Sequence, residues 1–337
     1  MSGARSLARG GAALVLALSA LLFACSKQGD VIVQTGEGKS LTDSDIDRDP
    51  LALLPGGAIA LSYLDAKQMF ASRFGNKLLA IAAQQLPLPP AAGFDPKRDL
   101  SGAYTGVYSM SGADVAGVAI GTFDKKKIEA AADGTQMTPL GVPVTKSSYA
   151  GRTLYTAGNI GFTVLTARTA LFGNDTGIRR ALDRIKEGRA KRQLPPWMDK
   201  LLSTPNAPIA VGADLTSQPL PDAARSQLPF LEGMKTIAMI GNFQEPGLNL
   251  AGTLSYADEA GAQHGADNLL RVRNTLESYA PFMALLGIPQ PVRQLKAEAK
   301  DKEVSFVMGV DGDAVGVLLD KARDFLAVTR PPAAGGS

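Results

Sequence analysis

Cys25 and His264 come first in any search for chemistry in this chain, because they are its only cysteine and its only histidine. A zinc site built from such ligands needs three or four of them, and a Cys/His nucleophile pair needs both in one place. Neither Gly-x-Ser-x-Gly nor Ser-x-x-Lys, two spacings typical of serine enzymes, occurs in the chain. We therefore predict no metal, no cofactor and no enzyme activity; a hydrolase that uses Asp/Glu or Ser/Lys chemistry without a recognisable motif is the open alternative.

Two other stretches have the composition of ligand sites but lack a required residue. The stretch Gly36-Glu37-Gly38-Lys39-Ser40 ends like a phosphate-binding loop, yet Val33 stands where that loop needs its first glycine. Alternating aspartates begin like a calcium loop, but Arg48 and Leu54 occupy the positions of its glycine and its glutamate. We expect a solvated acidic tether here, with weak Ca²⁺ binding as the minor alternative. The aspartates are Asp43, Asp45, Asp47 and Asp49.

Seven cations crowd the end of a helix predicted over residues 176–187 and the segment that follows it. Cations are favoured at a helix C-terminus by the helix dipole, so our first interpretation is a solvated face. The alternative is contact with an anionic surface, either lipid headgroups or an acidic partner, and salt would weaken such contact. We call these residues the basic cluster: Arg179, Arg180, Arg184, Lys186, Arg189, Lys191 and Arg192.

The first element of the chain has the pattern of an export signal. Arg5 and Arg9 precede an uncharged, mainly apolar run from Ala12 to Ala24. As a helix this run would reach about 20 Å, whereas the hydrocarbon core of a bilayer is roughly 30 Å thick. We therefore predict a signal peptide over residues 1–24 rather than a membrane span.

The end of this run, Leu22-Phe23-Ala24-Cys25, resembles the lipobox of bacterial lipoproteins. Leu22 stands at −3, Ala24 at −1 and Cys25 at the lipidated position, while Phe23 departs from the small or aliphatic residue that the family usually has at −2. The resemblance implies a diacylglycerol on the Cys25 thiol and a further acyl chain on its amino group. Several acyl chains anchor a protein stably, at about 0.8 kcal/mol per buried CH₂. A secretory signal with an incidental cysteine is the alternative.

Ser26 bears on the destination of such a lipoprotein. The family commonly uses Asp at this position to stay at the inner membrane, so Ser26 implies the outer membrane, facing the periplasm.

Acylation of Cys25 would leave the folded part without a thiol and therefore without a disulfide. The formal charge is +3, and Arg5 and Arg9 contribute two of these charges, which leaves +1 for the mature chain. That balance gives no reason to expect a nucleic-acid partner.

Beyond the signal we predict an α+β fold: antiparallel sheets covered by helices, in two similar modules in tandem. Residues 248–256 and 303–308 alternate apolar and polar side chains, which is typical of one-sided antiparallel strands. Two strands ending in aspartate, at Asp124 and Asp258, each lead into a helix that the aspartate can cap, and this similarity suggests duplication. The predicted divisions are a lipid anchor and tether, two modules and a disordered tail, over residues 25–50, 51–192, 193–328 and 329–337.

Together these features favour a lipid-anchored cell-envelope protein with a non-catalytic binding or assembly role. It would be held on the membrane by Cys25 and could there meet a protein partner. Two other hypotheses stay open. One is a periplasm-facing carrier of a lipid or other apolar ligand, and the other is the hydrolase without a motif.

Overall fold

The computed structural model describes residues 39–85, 88–109, 114–132, 137–139, 141–189, 191–220, 222–285 and 289–328. These residues belong to two compact units. The N-terminal unit contains residues 39–67 together with the described part of Leu79–Ser203, and the C-terminal unit contains Gln68–Leu78 and the described residues from Thr204 onward. The units therefore differ in extent from the two predicted modules, which met between residues 192 and 193.

Within the described part of the N-terminal unit, seven antiparallel strands lie in the order β1-β2-β3-β7-β6-β5-β4. They are β1 (Ala60–Asp65), β2 (Leu100–Ser109), β3 (Asp114–Gly121), β4 (Thr145–Tyr149), β5 (Arg152–Ala157), β6 (Ile160–Val164) and β7 (Thr169–Gly173). The helices of this half of the chain are α1 (Asp43–Arg48), α2 (Ala66–Ala71), α3 (Gly75–Gln85), α4 (Pro96–Asp99), α5 (Lys125–Ala131), α6 (Asp175–Lys186) and α7 (Pro196–Leu202), with short 3₁₀ helices at Pro50–Leu53 and Pro90–Ala92.

Helices cover both faces of this sheet. Neighbouring residues of a strand point to opposite sides, so two adjacent residues of β6 show which helix lies on each face. Phe162 of β6 lies in a buried cluster with Ile128 of α5. The adjacent Gly161 faces the other way, and a β carbon there would lie 3.2 Å from the side chain of Ile178 in α6. Helices α5 and α6 therefore pack on opposite faces of the sheet.

Five antiparallel strands lie in the order β11-β12-β10-β9-β8 in the described part of the C-terminal unit. They are β8 (Ile209–Asp214), β9 (Met234–Asn242), β10 (Gly247–Tyr256), β11 (Val292–Lys300) and β12 (Glu303–Asp311). The helices are α8 (Asp222–Gln227), α9 (Glu259–Ser278), α10 (Ala280–Leu285) and α11 (Gly312–Val328), with a 3₁₀ helix at Pro229–Leu231. Helix α9 packs on β10, β11 and β12, where Leu254, Leu295 and Val304 are buried.

Residues Gln68–Leu78 belong to the C-terminal unit although they precede most of the N-terminal one. Phe74 is 4% exposed, and its ring meets that of Phe243 edge-on, with the ring centroids 6.0 Å apart. Arg73 pairs with Asp313, and Lys77 pairs with Asp320 at 2.6 Å. These ion pairs are largely exposed and contribute little, so the burial of Phe74 is the main attachment.

The structure confirms the α+β class with antiparallel pairing, and the two units share part of their order of elements. In each unit the third strand leads to a helix, and antiparallel strands follow, four in the N-terminal unit and two in the C-terminal unit. The last of these strands pairs with the third strand: β7 with β3 and β12 with β10. The predicted caps are also present. Asp124 accepts a hydrogen bond from the backbone N–H of Lys127, and Asp258 accepts one from that of Gly261. This shared order is what two similar modules would show.

Candidate functional site

The structure does not describe Cys25 or the residues of the lipobox, which lie outside the described ranges. It does describe residues 39–54, the segment nearest to the predicted anchor, and we call this the docked segment. The basic cluster lies where this segment meets the N-terminal unit. These two features make up the candidate site.

The docked segment is packed into the N-terminal unit, which corrects our prediction of a tether extending to residue 50. Helix α1 starts with a capping box in which Thr42 and Asp45 bond reciprocally. Behind it, Ile46 is 0% exposed, and Leu53 and Leu54 are each 1% exposed. The physical reason is that this acidic stretch carries an apolar side which the N-terminal unit buries. The capping-box spacing followed by several leucines was the signal that sequence analysis passed over.

Two aspartates of the docked segment bond to side chains that are remote in sequence. The Asp47 carboxylate accepts hydrogen bonds from the hydroxyls of Thr166 and Thr169, at 2.6 Å and 2.7 Å. The Asp49 carboxylate receives the Nε–H and one Nη–H of Arg192 in a two-pronged pair, at 2.8 Å and 2.9 Å. These aspartates therefore hold the docked segment in place rather than keep it in solvent.

The start of the docked segment runs along the end of α6. The backbone N–H of Leu41 donates to the carbonyl of Ile185 at 2.9 Å. The carbonyl oxygen of Lys39 approaches Gly188 so closely that a β carbon there would lie 2.4 Å from it. Gly188 has φ +70, a conformation that suits glycine. The chain that comes from Cys25 therefore enters the described structure at the C-terminal end of α6, among the residues of the basic cluster.

Three arginines of the basic cluster are used within the fold. Arg184 is 2% exposed, and its guanidinium donates to Gln193 Oε1 at 2.6 Å, to the Lys191 carbonyl at 2.7 Å and to the Ala52 carbonyl at 2.9 Å. Arg192 bridges Asp49 and Asp199. These contacts correct the prediction of a single solvated face, since a buried guanidinium cannot touch an external surface.

The pKa values of the two bridging arginines shift in opposite directions. Burial lowers the pKa of Arg184, because removal from water penalises the charged form. Hydrogen bonds to Asp49 raise the pKa of Arg192 above its ordinary value. Arg180, the third engaged residue, pairs with Asp114 at 2.6 Å and stacks over the ring of Tyr108.

The remaining four cations are more accessible. Arg179 pairs with Asp175 along α6, and Arg189 pairs with Glu187 while its own side chain stays 49% exposed. Lys186 and Lys191 are exposed, and neither has a side-chain partner in the described part of the chain. The predicted basic cluster therefore divides into three arginines that hold the fold together, two arginines with accessible local ion pairs, and two lysines that face solvent.

Other candidates for chemistry remain separate from one another. His264 is exposed on α9. Within the described ranges, no group of three or more His, Cys, Asp or Glu side chains is arranged to hold a metal ion. A cleft of about 90 Å³ lies beside α4 and α5, and its charged residues, such as Arg98 with Asp99, pair locally. Ligand pockets typically measure about 300–1,000 Å³, so this cleft does not support the carrier hypothesis. Among the described helices, none has the length and apolar character of a membrane span.

Comparison with known proteins identifies a shared fold. No protein-family model matches the chain, and a search of curated proteins also gives no match. Crystal form III of TP0453 matches with a TM-score of 0.54 and 11% sequence identity, over 81% of this chain and 98% of that one. Crystal form I matches with a TM-score of 0.51 and 9% identity, over 81% and 97%. At this identity the likeness shows a common α+β fold and nothing further.

Proposed function

We propose that this chain is a lipid-anchored cell-envelope protein that is held on the membrane by acylated Cys25 and has a non-catalytic binding or assembly role. The observation that carries the proposal is the position of the only cysteine, directly after the apolar run and within Leu22-Phe23-Ala24-Cys25. A run too short to span the bilayer can still direct export. Several acyl chains on one cysteine would then keep the exported protein on the membrane.

The docked segment supports this proposal by limiting the distance between fold and anchor. Thirteen residues lie between Cys25 and Lys39, where the described structure begins, which makes 14 steps along the backbone. A fully extended chain spans at most about 3.6 Å per residue, so this stretch reaches at most about 50 Å. The N-terminal unit would therefore stay near the bilayer, where it can bind or assemble with other envelope components.

Metabolic labelling with a palmitate analogue tests the anchor directly. The full-length chain should incorporate the label and fractionate with membranes, and the Cys25→Ala variant should do neither. Ser26→Ala is the matched control, because it changes the neighbouring residue, keeps the thiol and should label like the wild type. An unlabelled wild-type chain would refute the anchor. A Phe23→Ala variant that is processed faster than the wild type would show that Phe23 slows the peptidase.

Separation of inner and outer membranes tests the destination. By the family pattern, the wild-type chain with Ser26 should sediment with the outer membrane, and Ser26→Asp should move it to the inner membrane. Identical distributions of the two chains would contradict outer-membrane sorting while leaving the anchor itself intact.

In-cell crosslinking of the anchored chain, followed by identification of the crosslinked proteins, tests for a partner. Recovery of no crosslinked protein at all would count against an assembly role.

A further inference from the structure

The point where the chain enters the N-terminal unit is surrounded by exposed positive charge. Lys39 is the first described residue and is itself exposed. Its carbonyl lies against Gly188, which places it close to Lys186, the last residue of α6, and to Lys191 in the segment that follows. None of these three lysine side chains has a partner among the described residues. We call Lys39, Lys186 and Lys191 the lysine collar.

Glu187 and two carboxylates of α1 have cationic partners of their own. Glu187 pairs with Arg189 at 2.6 Å. Asp45 bonds to Thr42 and pairs with Arg48. Asp43 lies 3.8 Å from Arg152. Asp183 of α6 accepts a hydrogen bond from the Tyr149 hydroxyl and has no cationic partner among the described residues. Within the described part of the chain, the unpaired charge at this end of the unit is therefore net positive, with three lysines against this one carboxylate.

We infer that the lysine collar holds the N-terminal unit against anionic lipid headgroups of the membrane in which Cys25 is anchored. The inference rests on the proposed lipid anchor. A tether of at most about 50 Å keeps the collar close to one bilayer surface, so the headgroups are the anionic groups it meets most often. Lysine suits this contact because its ammonium is a compact charge on a flexible stem that can reach phosphate without a fixed geometry.

The strength of the contact follows from the number of lysines rather than from total charge. The mature chain carries only +1 overall, so attraction of the whole molecule to the membrane would be slight. A lysine next to an anionic surface adds about 1 kcal/mol at low salt, or about fivefold in occupancy of the bound orientation. Two lysines would contribute roughly 25-fold. The contact should fade in strong salt, because screening then acts within about 3 Å.

A distance measurement on the lipidated full-length chain tests the contact. Acylation of Cys25 leaves the mature chain without another thiol, so Ser40→Cys provides a single labelling position beside the collar. A donor dye on this introduced thiol is paired with an acceptor dye on lipid headgroups, in vesicles of neutral phosphatidylcholine or with about one third phosphatidylglycerol. Energy transfer should rise in the anionic vesicles and return to the neutral value in 1 M salt.

Paired variants show which lysines cause the change. The double variant Lys186→Gln with Lys191→Gln should lose most of the rise in transfer, in line with a loss of roughly 25-fold in occupancy. The matched control is Lys125→Gln with Lys126→Gln in α5, which removes the same charge from the opposite face of the sheet and should keep the rise. Thermal unfolding of each variant confirms that the fold is unchanged.

The outcomes separate failure of the collar from failure of the anchor. Equal energy transfer in neutral and anionic vesicles would overturn the inference and leave an acidic protein as the candidate partner of these lysines. Equal losses in the two double variants would also overturn it, because the effect would then depend on total charge. A chain without the Cys25 anchor would instead accept a second dye on its free thiol, which mass spectrometry detects independently of the transfer signal.

Discussion

Arg184 offers the sharpest test of how the structure divides the basic cluster. Its guanidinium is buried and donates to three oxygens, one at Ala52 and two at Lys191 and Gln193, so it joins two separate parts of the chain. Replacement by methionine, a side chain of similar length, removes the charge and all of these donors. We predict that Arg184→Met destabilises the N-terminal unit and leaves membrane contact unchanged.

The expected loss in the free energy of unfolding of Arg184→Met depends on the surroundings of the three acceptor oxygens. Ala52 is 0% exposed, so its carbonyl would be left without a donor, at a cost of about 1–3 kcal/mol. Lys191 and Gln193 are exposed residues, so water can replace the guanidinium there, and each lost bond costs about 0.5–1 kcal/mol. Removal of a desolvated charge whose Nε has no partner among the described residues offsets part of this loss. We expect a net loss of about 2–3 kcal/mol in the free energy of unfolding.

Fluorescence of Trp197 is a suitable assay, since it is the only tryptophan in the chain and lies in α7 of the N-terminal unit. For a unit of this size, about 1 kcal/mol shifts the melting temperature by roughly 2–4 °C, so Arg184→Met should melt roughly 4–12 °C below the wild type. Arg184→Lys should lie between the two, because lysine keeps the charge and loses the planar fork. Arg48→Met is the control; Arg48 has an exposed ion pair worth at most about 1 kcal/mol.

Two results would refute this reasoning. A melting temperature for Arg184→Met within about 2 °C of the wild type would mean that the three acceptors do not depend on Arg184. A loss of energy transfer on anionic vesicles, with unchanged stability, would return Arg184 to the surface contact. Either result would also remove the distinction between the three structural arginines of the basic cluster and its exposed lysines.

Three further perturbations test the docked segment and the C-terminal unit. Asp47→Ala removes the acceptor of two threonine hydroxyls, so amide exchange across residues 41–54 should accelerate by roughly tenfold, which corresponds to about 1.4 kcal/mol. Gly188→Ala places a β carbon 2.4 Å from the Lys39 carbonyl at φ +70, so the melting temperature should fall by several degrees. Burial opposes ionisation of Asp311, but hydrogen bonds from the first amides of α11 and from Arg293 lower its pKa. Its stabilising effect is therefore present above the ordinary aspartate pKa of about 3.9 and is lost as pH falls below it. Melting temperatures of the wild type and of Asp311→Asn, compared from pH 6 to pH 3, measure this loss.

Each of these predictions has a matched control. Asp43→Ala removes a carboxylate that is 72% exposed and should leave exchange unchanged; equal acceleration in both variants would contradict a specific role for Asp47. Gly158→Ala imposes the same type of φ with no atom near the new β carbon. If it destabilised the chain as much as Gly188→Ala, the contact with Lys39 would not matter. A constant stability difference between wild type and Asp311→Asn from pH 6 to pH 3 would contradict the pH argument.

Local patterns predicted the class of fold, because the alternation of side chains along a strand and the capping of a helix each depend on only a few consecutive residues. Alternation of apolar and polar side chains indicated antiparallel strands, and β10 and β12 are such strands. Asp124 and Asp258 were predicted as caps because a cap needs only an oxygen and the backbone N–H a few residues later. The structure confirms both caps.

The docked segment was not predictable in the same way, because its partners are remote in sequence. Asp49 meets Arg192 across 143 positions, and Asp47 meets Thr169 across 122. Before folding, such a run of aspartates is typical of a solvated linker. Only tertiary packing brings a hydroxyl or a guanidinium to each of these two carboxylates and buries the leucines behind them.

The lipobox-like stretch that ends at Cys25 is a linear motif, so the amino-acid order alone carries the prediction of an anchor. The composition, with one cysteine and one histidine, also excludes sites that need more than one thiol or imidazole. The α+β class likewise followed from local alternation and capping. Which cations remain free was decided by the tertiary structure. Arg184 and Lys186 are two positions apart, yet one is buried against Ala52 and the other faces solvent. The physical reason is that burial depends on which side of α6 a residue occupies and on what packs there, and for Arg184 that neighbour comes from 132 positions away.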